Sequence, residues 1–113
     1  MKGHSRNKVA KKELEAQKEW RRQVLERDGH KCQICDPSVV AKRLNVHHLI
    51  PRGIKEYRWD VDNGMTLCVR HHTLGTFSAH KHPFWFVNWL WKTKPKIYFQ
   101  MERRNALAYS EAG

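Results

Sequence analysis

Three cysteines and two histidine pairs crowd into residues 32–72: Cys32-Gln33-Ile34-Cys35, then His47-His48, then Cys68-Val69-Arg70-His71-His72. Three is an odd number, so no closed set of intrachain disulfides is possible. A secreted disulfide framework is therefore not the organising device. Three thiolates and one imidazole instead make a tetrahedral zinc set. C-x2-C and C-x2-H are separated by 32 intervening residues, and each short pair can hold two ligands on one side of an ion. Because C-x2-H mirrors C-x2-C, His71 rather than His72 completes the set with Cys32, Cys35 and Cys68. The chain is expected to fold around this structural zinc, a device that small domains with modest cores commonly need.

The chain has 113 residues, the size of one domain. Lysine and arginine number 22 against 11 acidic residues, a formal net charge of +11. Such an excess points to a polyanionic partner, most simply nucleic acid. No apolar stretch approaches the roughly 20 residues of a membrane span. The start, Met1-Lys2-Gly3-His4-Ser5-Arg6-Asn7-Lys8, carries no apolar signal segment. A cytoplasmic location without membrane contact is the corresponding expectation.

Local patterning divides the chain. Residues 1–8 read as a basic tail. Residues 9–28 read as a helix rich in Ala, Lys, Glu, Gln and Arg, with Ala16, Trp20 and Val24 on one packing face and Gly29 suited to a left-handed cap. Asp36-Pro37-Ser38 is a turn. Leu44 to His48 begins with apolar and polar residues alternating, as in a short strand. Pro51-Arg52-Gly53 breaks it, and a basic loop follows to a tight turn at Asp62-Asn63-Gly64. Met65-Thr66-Leu67 is a second strand entering the Cys68 knuckle. His71 opens a short helix weakened by Gly75. Pro83 starts another at 83–92, apolar nearly all round, which predicts burial on two sides. A final helix covers 96–109.

Zinc leaves His47, His48, Asn63 and His72 unused. The arrangement Val46-His47-His48-x-x-Pro51, Asn63 and Cys68-x-x-His71-His72 resembles the HNH endonuclease family, in particular the zinc-ribbon HNH nucleases of phages and prophages. The similarity spans about residues 20–95. It includes Ala79-His80-x-x-Pro83-x-x-Phe86-x-x-Trp89-Leu90. His48, Asn63 and His72 match the three motif letters, with 14 and 8 residues between them.

The resemblance implies an α+β fold: a small zinc-stabilised ββα-metal (His-Me finger) core at about 29–82, flanked by the N-terminal helix and C-terminal helices at 83–109. It implies that His48 is a general base, that Asn63 orients it, and that His47 and His72 hold a catalytic divalent metal. Bacteriocin-type members carry a third metal-binding histidine four residues after the last motif position, where this chain has Thr76. Two protein ligands and an open sphere favour Mg2+ or Mn2+. His80 or His82 could supply a third ligand, but each reads first as a surface or packing histidine.

The chemistry is sensible apart from the resemblance. A neutral imidazole can take a proton from water, and a divalent cation can polarise a phosphate and stabilise a departing oxygen. Neighbouring strand residues face opposite ways, so His47 and His48 cannot share one role without a local distortion. Arg52, Lys55, Arg58 and Arg70, with Lys42 and Arg43, are the expected phosphate contacts. The function expected is metal-dependent hydrolysis of DNA phosphodiester bonds. The alternatives are a zinc ribbon that binds nucleic acid without cutting, and an adaptor in phage packaging. Partners left open beside DNA are a second copy, as a homodimer, and phage packaging proteins.

Overall fold

In a computed structural model the backbone is described for residues 2–112 and the side chains for residues 8–110. The order of elements is α1 (Lys2–Arg27), β1 (Leu44–His48), β2 (Gly64–Cys68), α2 (Pro83–Thr93) and α3 (Pro95–Ala112). Two 3-10 turns, Lys55–Tyr57 and Val61–Asn63, lie between the strands, and a π-helical turn, Arg70–Leu74, follows β2. The fold is α+β, with a two-stranded sheet and flanking helices.

Helix α1 begins at Lys2, so the expected tail is helical backbone from that residue on. Trp20 and Val24 are its buried face, one turn apart as their spacing predicts. They press on Gly64, where an added Cβ would lie 2.5 Å from a Val24 methyl. Only glycine permits this approach of helix to strand. Gly29 and His30 both adopt positive φ, 65° and 56°, and turn the chain sharply out of α1.

That turn positions the first knuckle. The Asp28 carboxylate accepts the Thr66 amide at 2.9 Å, and the Gln33 amide donates to the Thr66 carbonyl at 3.0 Å. Both backbone polar groups of Thr66 on the open edge of β2 are thus satisfied by the segment carrying Cys32. The knuckle is fastened beside the strand that ends in Cys68.

The strands pair antiparallel, Leu44 against Cys68 and His48 against Gly64. Their long connection is held by Asn63, which is fully buried. Its side-chain oxygen accepts the Ile50 amide at 2.7 Å. Its nitrogen donates to the carbonyls of Ile50 and Tyr57, both at 3.0 Å.

The core joins Met65 and Leu67 of β2 to Ala79 and to Phe86 and Leu90 of α2. Helix α2 opens as its sequence indicates, with Pro83 in the first turn and the His82 ring accepting the Trp85 amide at 3.2 Å. It is not buried on two sides. Phe86 and Leu90 face inward, while Phe84 is 80% exposed and Val87 and Trp91 are exposed beside it. The sheet has only two strands, too little surface to cover a helix that is apolar all round.

The segment after β2 departs from the expected helix. The Gly75 amide donates to the Arg70 carbonyl at 2.8 Å, closing a single wide turn. The chain then folds back, with Ala79 N bonded to His71 O at 2.8 Å and His80 N to His72 O at 3.0 Å. Amides eight residues on thus satisfy carbonyls that a longer helix would have paired within itself.

Candidate metal centres and the histidine cleft

Cys32, Cys35, Cys68 and His71 come together as their spacing predicts. His71 Nδ1 lies 3.7, 3.3 and 3.3 Å from the sulfurs of Cys32, Cys35 and Cys68, and Cys35 Sγ lies 3.8 Å from Cys68 Sγ. A tetrahedral zinc with ordinary bond lengths sets S···S near ~3.8 Å and S···N near ~3.6 Å. The cluster therefore fits a structural zinc. Burial, then the neighbouring Cys32 and Cys68 sulfurs, push the Cys35 thiol up to about 12. At Cys32 burial also pushes upward, but hydrogen bonds from the backbone of Cys68, Cys35 and Ile34 outweigh it and the thiol is lowered. Three thiols this close cannot all ionise cheaply, and a bound cation removes that conflict.

The second cluster holds His47, His72 and His80, each offering a ring nitrogen within 4.8 Å of the others. β1 supplies His47, the π turn His72, and the folded-back loop His80. The Nε2 atoms of His72 and His80 are 3.1 Å apart. Two nitrogens on one ion at about 2.1 Å stand ~3.0–3.4 Å apart, for octahedral and tetrahedral angles respectively. His47 is 9% exposed, and its Nδ1 is buried without a hydrogen-bond partner among the described residues. An ordered water or a bound ion would satisfy such a group. Burial, then the charges of His72, His80 and His48, lower His47 to about 3. Burial, then His80 and His48, lower His72 to about 4. Both rings are neutral near pH 7, the form that ligates a metal.

The sequence leaves open whether His80 or His82 could supply a third ligand, and the structure brings His80 beside His47 and His72. Its nearness to His72 follows from the backbone bond to His72 O, which no ligand spacing encodes. The signal available was its place in the run Ala79-His80-x-x-Pro83. His82, its equal in the sequence reading, caps α2 instead.

His48 faces away from this cluster's centre, as strand alternation requires. Its ring stacks on Trp20 at 4.1 Å between centroids and 18° between planes, with Trp59 5.7 Å away. Its Nε2 lies 3.0 Å from the carbonyl oxygen of Arg58. Burial lowers its pKa; the bond to that carbonyl opposes the shift, and the charges of Arg52 and Arg58 add to it. Among the described residues the Asn63 side chain makes no hydrogen bond to His48. It ties Ile50 to the loop that presents the Arg58 carbonyl, so its hold on the ring is indirect.

His47, His48, His72 and His80 all line one cleft of about 660 Å³. Its further wall is apolar, built from Leu49, Ile50, Phe86 and Leu90. Of the six basic residues expected to meet phosphate, Lys42, Arg43, Arg52, Lys55 and Arg70 are exposed. Arg58 is committed elsewhere: its guanidinium donates to the Arg52 carbonyl at 2.8 Å and pairs with Glu13 at 3.3 Å.

Set against known proteins, the chain matches no family model, no curated protein and no solved structure. No helix among the described residues is long and apolar enough to cross a membrane.

Proposed function

We propose that this protein is a metal-dependent DNA endonuclease of the HNH kind, with a ββα-metal core in which the π turn takes the place of the usual helix. The observation that carries this reading is the placement of His48. It follows a member of the three-histidine cluster in β1, shares that cluster's cleft, and is held in one orientation by Trp20 and the Arg58 carbonyl.

A carbonyl oxygen can only accept, so His48 Nε2 carries the hydrogen and Nδ1 keeps the lone pair. The lowered pKa keeps that lone pair available at neutral pH. In the reaction Nδ1 takes the proton from a water molecule. The water oxygen bonds to phosphorus as the bond from phosphorus to the 3′-oxygen breaks. His47, His72 and His80 would hold a divalent ion, which would supply charge neutralisation on the phosphate and stabilisation of the departing oxygen. Three imidazoles without a carboxylate suit a transition metal better than Mg2+, so Mn2+ is favoured of the two ions expected. The net charge of +11 and the exposed Arg52, Lys55 and Arg70 favour a polyanionic substrate.

Plasmid cleavage in Mn2+ tests the assignment, with His48→Ala as the control. The wild type should cut. The variant should keep its zinc, its fold and its affinity for DNA, yet lose about 10²–10⁴ in rate, the usual worth of a general base. Equal rates would reject the mechanism. Binding without cutting in Mn2+, Mg2+, Ni2+ and Zn2+ alike would leave a nucleic-acid-binding zinc ribbon.

A further inference from the structure

His72 has two ring nitrogens, and they have different neighbours. Nε2 lies 3.1 Å from His80 Nε2, while Nδ1 lies 3.1 Å from the side-chain amide nitrogen of Asn45. Asn45 stands two residues before His47 in β1, so strand alternation puts both on the face turned toward the π turn. No other side-chain hydrogen bond of Asn45 is found among the described residues.

The arrangement has a consequence for His72. With the amide nitrogen donating, His72 Nδ1 is the acceptor and its hydrogen sits on Nε2. Nε2 then donates to His80 and has no lone pair for a metal. Turning the Asn45 amide over presents its oxygen. Nδ1 then carries the hydrogen, and the Nε2 lone pair is free toward His47 and His80. The amide orientation and the His72 tautomer are thus one coupled choice.

We propose that Asn45 is the positioning residue of the histidine cluster: its side-chain amide holds His72 by Nδ1, and metal binding selects the orientation in which the Asn45 oxygen accepts. This rests on the reading that His47, His72 and His80 hold a metal, but not on the reaction performed there. A ligating histidine commonly donates its other N–H to an oxygen acceptor, which orients the ring and raises its basicity. Neither neighbouring side chain in the strand can substitute, because Leu44 and Val46 are apolar and lie on the opposite face.

The test is direct binding of Mn2+ and Co2+, by calorimetry and Co2+ absorption, to full-length protein with its structural zinc retained. Asn45→Leu, close in size and unable to hydrogen-bond, should weaken binding by ~10–100-fold, the usual cost of losing such a partner. Asn45→Asp, which offers only acceptors, should bind at least as tightly as wild type. Nitrogen NMR of His72 should show the hydrogen moving from Nε2 to Nδ1 on titration with diamagnetic Zn2+ in slight excess over the structural site. Zinc content and thermal unfolding should be unchanged in both variants. Wild-type affinity in Asn45→Leu overturns the proposal. So does an Asn45→Asp variant as weak as Asn45→Leu, or a wild type that binds no second metal. The two variant results do not depend on cleavage and leave the proposal for His48 standing, whereas a wild type without a second metal would remove both.

Discussion

The two clusters of this protein are built from similar polar residues by opposite means. Cys32, Cys35, Cys68 and His71 come as two short-range pairs on knuckles, and two of the sulfurs are buried. His47, His72 and His80 come singly from a strand, a π turn and a loop, and His80 is exposed. Thiolates enclose an ion and leave no position open, which suits a clamp. Neutral imidazoles on an open cleft leave room for water and a phosphate. The contrast teaches that four ligands on paired knuckles can close a coordination shell, while three from separate elements leave positions open.

The largest expected effect falls on the closed centre. Cys68→Ala should release zinc and unfold the chain, because the binding energy of a structural metal is folding energy. Metal analysis and circular dichroism of the purified variant check this. A folded, zinc-free wild type would abolish the distinction between the centres altogether. Brief chelation should leave zinc in place and empty only the histidine cluster, stopping cleavage until Mn2+ returns.

His48→Ala comes next, with its loss of about 10²–10⁴ in rate at saturating DNA and metal. Asn63→Ala belongs to a different class of defect. Three hydrogen bonds end on this fully buried side chain, including the one to the Ile50 amide. Leaving those three backbone groups unpaired costs ~1–3 kcal/mol each, so a loss of at least about 3 kcal/mol is expected. Urea denaturation should reveal the loss. Unchanged stability with lost activity would instead make Asn63 part of the reaction.

His80→Ala and His82→Ala sharpen the comparison within one loop. His80→Ala should weaken Mn2+ binding by at least the ~10–100-fold that an outer partner is worth. His82→Ala should leave metal affinity unchanged and cost ~1 kcal/mol of stability through the lost cap of α2. Equal metal affinities in the two variants would remove His80 from the site.

The smallest effect is on pH dependence. Burial lowers His48, so it is already a neutral base at its ordinary pKa of about 6.5. The acid limb of log kcat should therefore lie below pH 6.5. A limb above it would contradict the assignment. Stability of chain without metal in the histidine cluster should follow the same sense. His47 and His72 titrate at about 3 and about 4 when folded, but near 6.5 when unfolded. The unfolded chain thus binds more protons below that value, and stability falls as pH drops from about 6.5.

Much of this was legible in the sequence because it depends on short spacings. The two knuckles, β1 at Leu44–His48, the turn at Asp36, the cap at Gly29 and Pro83 in the first turn of α2 each follow from a few adjacent residues. So does the opposite facing of His47 and His48, which strand geometry alone demands. Tertiary structure decided what adjacent residues cannot encode. The return of the chain after the π turn brought His80 to His72 through a backbone bond eight residues long. The packing of α1 on Gly64 put Trp20 against His48, 28 residues away in sequence. The size of the sheet decided which face of α2 was buried, leaving Phe84 and Trp91 outside. Local ligand pairs and periodicities are set by bond geometry over a few residues. The partners of a ring nitrogen depend on where distant backbone is satisfied, and that is settled only when the whole core closes.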